Sequence, residues 1–255
     1  MKQYKGYLID LDGTVYKGTE KIDAAIAFVK ELKEKNIPYL FLTNNSTKHP
    51  KDVAKKLQDM DVPANTEDVF TTSMATAKYL ADQKPGARVY PIGEEGLHMA
   101  LKERGLIIAE TDVDFVVMGL DRDINYEKLA VGALAIRSGA TFVATNGDVT
   151  LPTERGFLPG AGSLISVLSV TTGVKPTFIG KPEAVIVEQA LEVLGTEKED
   201  TVMIGDNYHT DILAGINAGI DSLLVHSGVT TREEMRLIEK QPTHSIDSLA
   251  EWTLE

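Results

Sequence analysis

The chain has 255 residues, enough for one large or two modest domains. Its 26 basic and 38 acidic residues leave a formal charge of −12, and no cluster of Lys and Arg offers a general nucleic-acid surface. It contains no cysteine, which excludes disulfides, thiolate metal sites and a cysteine nucleophile.

Along the chain, short apolar runs alternate with helical spacing. Tyr7-Leu8-Ile9 predicts a buried strand that ends in two carboxylates, Asp10 and Asp12, and then Gly13. Ile22, Ile26, Val29 and Leu32 recur at helical spacing, and Asn36 suits the helix end. Residues 39–42 form a second buried strand that runs into Thr43-Asn44-Asn45-Ser46, with a helix around 51–60. The middle has its own rhythm. Strands are expected at 88–92, 115–118 and 141–145, and helices at 95–104 and 126–138 are stopped by Gly105 and Gly139. Thr177-Phe178-Ile179 predicts a strand before Gly180-Lys181-Pro182. A helix over 184–194 stops at Gly195, and the strand 201–204 leads into Gly205-Asp206-Asn207. A further helix runs to Ala218 with Gly219 as its cap, and 221–225 supplies another strand. This alternation predicts an α/β fold, a doubly wound parallel sheet covered by helices on both faces. Residues 80–177 read as a second small α/β unit inserted into a core of 1–79 and 178–255.

The first residues lack the apolar core of a signal peptide. The most apolar later stretch, 163–174, is interrupted by Ser and Thr and is too short to span a bilayer. A soluble cytoplasmic protein with no membrane partner is the expectation.

Acids are costly at the end of a buried strand unless something pairs with them, and a divalent cation is the obvious partner. Four polar segments each follow an apolar strand: Asp10 to Thr14, Thr43-Asn44, Lys181, and Asp206-Asn207 with Asp211. Carboxyl ends of strands in open parallel sheets converge on a ligand crevice, so these segments are expected to meet. Asp10 and Asp206 can bind Mg²⁺ through oxygen. A carboxylate and a phosphate oxygen about 4 Å apart repel by roughly 4 kcal/mol at an effective dielectric near 20, and Mg²⁺ with Lys181 reverses that sign. Asp10 can then attack phosphorus to give an aspartyl-phosphate. Asp12 can protonate the leaving oxygen and later deprotonate the attacking water. Thr43 and Asn44 can donate to the phosphoryl oxygens, and Gly13 removes a side chain where backbone must pass close to the phosphate. Asn207 is a further candidate contact. The expected partner is a small phosphate ester and the expected cofactor Mg²⁺.

Plainer readings stand beside these. Asp10 and Asp12 could be solvated turn acids, Thr43-Asn44 a helix cap, and Asp211 a first-turn acid favoured by the helix dipole. Gly160-Ala161-Gly162 is read as the turn into a helix, because Ile165 takes the third glycine position of a dinucleotide loop. The five histidines show no metal-ligand spacing, though His209 could touch substrate. Asn146 and Asp148 are further candidate substrate contacts, and Trp252 is expected to anchor the C-terminal segment.

Taken together, Asp10-Leu11-Asp12-Gly13-Thr14-Val15 resembles the first motif of the haloacid dehalogenase (HAD) superfamily. Thr43, Lys181, and Gly205-Asp206 with Asp211 match its second, third and fourth motifs in order. The strings 42–46, 144–148, 158–162, 180–182 and 205–211 are similar to the NagD-type, 4-nitrophenylphosphatase-like branch, and the similarity covers essentially the whole chain. The resemblance implies a Rossmann-like core with a large α/β cap inserted between the second and third motifs. It implies Mg²⁺-dependent hydrolysis of small phosphate monoesters through Asp10: sugar phosphates, acid sugar phosphates, nucleoside monophosphates, and 4-nitrophenyl phosphate in vitro. It further implies Asp12 as acid/base that gives the metal only a backbone carbonyl, Asp206 as a direct ligand, and Asp211 as support for the metal's waters. Three alternatives stay open: a phosphotransferase such as a mutase, a phospho-accepting receiver-like domain, and a binding protein with an idle site. A helical cap surface could support a homodimer, with no specific signal for one.

Overall fold

The computed structural model describes residues 2–153 and 155–254. It forms two compact units. The first takes the chain up to Thr43, Lys51–Phe70, and from Lys181 onward; the second takes Asn44–Pro50 and Thr71–Gly180. Segments 44–50, 71–79 and 178–180 thus group with the second unit, whereas the division expected from sequence leaves them in the core.

The first unit is built on a six-stranded sheet in the order His244–Ile246, Asp221–Val225, Thr201–Gly205, Gly6–Ile9, Tyr39–Thr43, Val69–Thr71. The pairings among the first five of these strands are parallel. Gly6–Ile9 and Thr201–Gly205 are buried along their whole length, as expected of central strands covered on both faces. Register sets the site. Ile9 lies opposite Ile204 on one side and Phe41 on the other, so Asp10, Thr43 and Asp206 leave the sheet at one edge. Helix Asp23–Glu34 buries Ala25, Ile26, Phe28, Val29 and Leu32, the apolar stripe of its sequence. Helix Ala184–Leu194 ends at Gly195 and helix Leu213–Ala218 at Gly219, both left-handed with φ of 72° and 76°. Trp252 is buried and stacks on Tyr4 at 6.2 Å between ring centroids.

The second unit carries a five-stranded parallel sheet ordered Thr177–Phe178, Thr141–Ala144, Phe115–Met118, Arg88–Ile92, Ile107–Ile108. The strand Thr177–Phe178, expected to return the chain to the core sheet, instead pairs with Val143 and Ala144 in this second sheet. Ile179 and Gly180 extend that ladder through N–H bonds to Ala144 and Thr145. Lys181 is therefore reached from the connecting segment and not from a core strand. The structure adds a hairpin, Tyr16–Lys17 with Glu20–Lys21, to the first unit. It adds helix Thr72–Gln83 and the hairpin Thr150–Thr153 with Gly156–Pro159 to the second. No helix among the described residues is long and apolar enough to cross a membrane.

Candidate active site

Buried charge is concentrated at the carboxyl edge of the first unit's sheet. Asp10, Asp206, Asp211 and Lys181 are all buried, with Lys181 only 2% exposed. The Lys181 ammonium donates to Asp10 Oδ1 at 2.5 Å, to Asp211 Oδ1 at 2.7 Å and to the Leu42 carbonyl at 3.0 Å. Three acceptors around three N–H bonds give the cation one fixed position. Asp10, Asp206 and Asp211 each present a carboxylate oxygen within 4.8 Å of the others. The Thr14 hydroxyl stands between two of them, 3.4 Å from Asp10 Oδ2 and 3.3 Å from Asp206 Oδ1. Asp211 is held from its other side by the Asn207 N–H at 3.1 Å.

Glycines make this crowding possible. A Cβ on Gly205 would lie 2.2 Å from the Asp211 Cβ. Gly13 turns with φ of +96°, and a Cβ there would lie 2.3 Å from Asp206 Oδ2. The room at Gly13, expected to admit phosphate, is occupied on this side by the Asp206 carboxylate.

Electrostatics follow from burial. Desolvation first, then the Asp211 charge, push the Asp10 carboxyl well above its ordinary range, against the pull of Lys181. The same two causes raise Asp206 to about 6, opposed by the Val229 N–H and Lys181. Asp10 and Asp211 together hold the Lys181 ammonium protonated despite its burial. Three carboxylates against one ammonium leave two formal negative charges in excess. A hard divalent cation with oxygen ligands fits both that charge and that donor set.

Two family models match. Residues 7–107 fit the Haloacid dehalogenase-like hydrolase model and 178–252 the HAD-hydrolase-like model. The chain is 63% identical to 5'-nucleotidase YutF of Bacillus subtilis, over 99% of this chain and 98% of that protein. It is 53% identical to an acid sugar phosphatase of Staphylococcus aureus, over 98% and 97%. The chain belongs to the haloacid dehalogenase-like hydrolases. Among solved structures, a double mutant of the thermostable NPPase from Geobacillus stearothermophilus superposes with a TM-score of 0.95, at 57% identity and complete coverage of both chains. NagD from E. coli K-12 does so at 0.94, with 32% identity and complete coverage of both, which places the chain in the NagD-type branch of the family.

In this HAD-like hydrolase the remaining candidate residues fall into distinct places. Asp12 stands outside the buried triad; it is exposed, and its backbone bridges to Tyr16. Lys56 lies 3.6 Å above the centre of the Tyr16 ring, and burial followed by the Asp12 charge raises the Tyr16 phenol. Thr43 is buried at the end of its strand. Asn44 falls in the second unit, where it donates to Asp148 Oδ2 at 3.1 Å while its carbonyl accepts from Asn146 at 2.9 Å. Asn44, Asn146 and Asp148 thus form one cluster. Asn207 is half-buried, and its side-chain oxygen caps the following turn by accepting from the His209 N–H at 3.0 Å. His209 itself is exposed.

Sequence inspection does not single out Ser227, Gly228 and Val229, yet all three touch the site. Their one sequence signal is a Ser-Gly step shortly after the strand Asp221–Val225, at the same sheet edge.

Proposed function

We propose that this chain hydrolyses small phosphate monoesters in the cytoplasm, with Mg²⁺ as its cation and Asp10 as the residue that carries the phosphoryl group. The observation that carries the proposal is the buried Lys181 bridging Asp10 and Asp211 beside Asp206. The names of the relatives, nucleotidase and acid sugar phosphatase, support the ester class. Asp10, Asp206 and the Asp12 carbonyl are the proposed Mg²⁺ ligands, with Asp211 proposed to support the metal's waters; an ion held there would offset negative charge on the carboxylates and on the phosphoryl oxygens.

The chain's own groups supply the rest. Lys181 fixes one Asp10 oxygen, so the carboxylate presents a single orientation to phosphorus. Attack by Asp10 forms an Asp10 O–P bond and breaks the ester P–O bond, as Asp12 gives its proton to the departing oxygen. A water then attacks phosphorus and loses a proton to Asp12. The Asp10 O–P bond breaks, releasing phosphate and restoring the carboxylate. The exposed position of Asp12 suits a group that must meet both leaving oxygen and water. Gly13, Thr43, Asn44 and Asn207 are the proposed substrate contacts. The inserted second unit is the proposed cap domain, and Asn146 and Asp148 are its candidate substrate contacts.

Phosphate release over a panel of sugar phosphates, acid sugar phosphates and nucleoside monophosphates tests this reading. Turnover with Mg²⁺, loss on chelation and recovery on re-addition are expected. Isomer formation without free phosphate would select a mutase, and one long-lived phosphoryl adduct per chain a receiver. Asp12→Asn should lower kcat on sugar phosphates by about 10²–10⁴-fold. With 4-nitrophenyl phosphate, whose leaving group needs little acid help, the same variant should slow mainly the second step. A pre-steady-state burst of 4-nitrophenol checks this.

A further inference from the structure

Ser227-Gly228-Val229 packs directly on a proposed metal ligand. The Ser227 hydroxyl donates to the Gly13 carbonyl at 2.8 Å, and the Val229 N–H donates to Asp206 Oδ2 at 2.7 Å. A Cβ on Gly228 would lie 1.9 Å from that same Asp206 oxygen. A Cβ on Gly13 would lie 2.3 Å from the same oxygen, so two glycines leave room for the Asp206 carboxylate and one amide pins it. Its other oxygen meets the Thr14 hydroxyl at 3.3 Å.

The segment is itself anchored at both ends. The His226 N–H donates to the Ile246 carbonyl at 3.0 Å, which ties the start of the segment to the neighbouring strand. The Thr230 N–H donates to the Asp206 carbonyl at 3.0 Å, and the Thr230 hydroxyl accepts from the Tyr208 N–H at 2.8 Å. Side chain and backbone of Asp206 are therefore held by one short stretch of chain.

We propose that residues 227–229 form a strap that presets Asp206 for its divalent cation, making Ser227 and Gly228 positioning residues that set metal affinity. This rests on the reading of Asp206 as a metal ligand. A carboxylate already confined to one orientation loses little further freedom when the ion binds. The Ser227 bond adds a second effect. It fastens the Asp10–Gly13 turn to the strap, so the two segments that carry proposed ligands stay in register. Partners behind metal ligands typically change affinity by about 10- to 100-fold when removed.

The test uses the full chain stripped of metal, with Mn²⁺ as the probe and its binding read by electron paramagnetic resonance. Gly228→Ala is expected to weaken Mn²⁺ binding roughly 10- to 100-fold and to raise the Mg²⁺ needed for half-maximal phosphate release by a similar factor. Turnover at saturating Mg²⁺ should change far less. Ser227→Ala should weaken Mn²⁺ at the lower end of that range, and Ser227→Thr, which keeps the hydroxyl, should restore it. Should Gly228→Ala fail to fold, the Ser227 pair decides. Parental Mn²⁺ affinity in the strap variants would overturn the proposal. So would affinity losses matched by equal losses of metal-free melting temperature, since that marks general destabilisation. Asp206→Asn separates the two readings. If it binds Mn²⁺ like the parent, the ligand assignment fails. If it loses binding while the strap variants keep it, only the strap fails.

Discussion

Asp10→Asn is expected to abolish turnover, by on the order of 10⁴-fold or more in kcat/KM, while the protein stays folded. The substitution preserves shape and leaves an amide oxygen able to accept from Lys181, whose bond to Asp10 is 2.5 Å in the parent. It removes the nucleophilic carboxylate, because an amide cannot form the covalent phosphoryl adduct. Stability should not suffer. Burial and the neighbouring Asp211 and Asp206 charges already oppose ionisation of Asp10 in the metal-free protein, so a neutral side chain relieves repulsion. The metal-free melting temperature should hold or rise. Initial rates and a thermal melt on the same preparation check both halves. Near-parental activity would remove Asp10 from the mechanism.

The second large effect is expected at Lys181. Lys181→Met keeps most of the side-chain volume and deletes the ammonium that faces Asp10 and Asp211. Breaking a buried ion pair from one side leaves charge without compensation and costs about 3–5 kcal/mol. Part of that cost is avoided if Asp10 takes up a proton, but a protonated Asp10 is no nucleophile. Activity should therefore fall by roughly 10³-fold even where the protein folds. Mg²⁺ should recover some of the lost stability, since it returns positive charge to the cluster, and little of the activity, since the orientation of Asp10 is gone. Urea melts with and without Mg²⁺, paired with phosphate release, measure these effects. An unchanged urea midpoint in the metal-free variant would contradict the electrostatic account.

The central sheet was legible because Tyr7-Leu8-Ile9, Tyr39 to Leu42 and Thr201 to Ile204 are apolar on both faces, a pattern that buried parallel strands share. Their polar ends then meet by register alone, which is why Asp10 and Asp206 could be paired across almost 200 residues of chain. Lys181 was legible as a residue but not as a position. The strand before it is two residues long, and nothing in Thr177-Phe178 distinguishes one parallel sheet from another. Asp10 and Asp12 look alike in sequence, yet strand periodicity ends at Ile9. Past that point the turn at Gly13 sets direction, burying Asp10 and exposing Asp12. Asn44 reads as part of the strand-end motif; its bonds to Asp148 and Asn146 join residues 104 and 102 positions apart, which local sequence does not reveal. The Ser227–Val229 strap carries no unusual residue types; its meaning comes from proximity to Asp206, which local sequence does not encode.

The stereochemical course at phosphorus tests the central claim most directly, because it does not require the covalent species to accumulate. A phosphate monoester made chiral at phosphorus with oxygen isotopes is turned over in isotopically labelled water, and the configuration of the released phosphate is read. Two in-line displacements, first by Asp10 and then by water, predict net retention. Net inversion would mean that water attacks the ester directly, and Asp10 would not be the group that carries the phosphoryl.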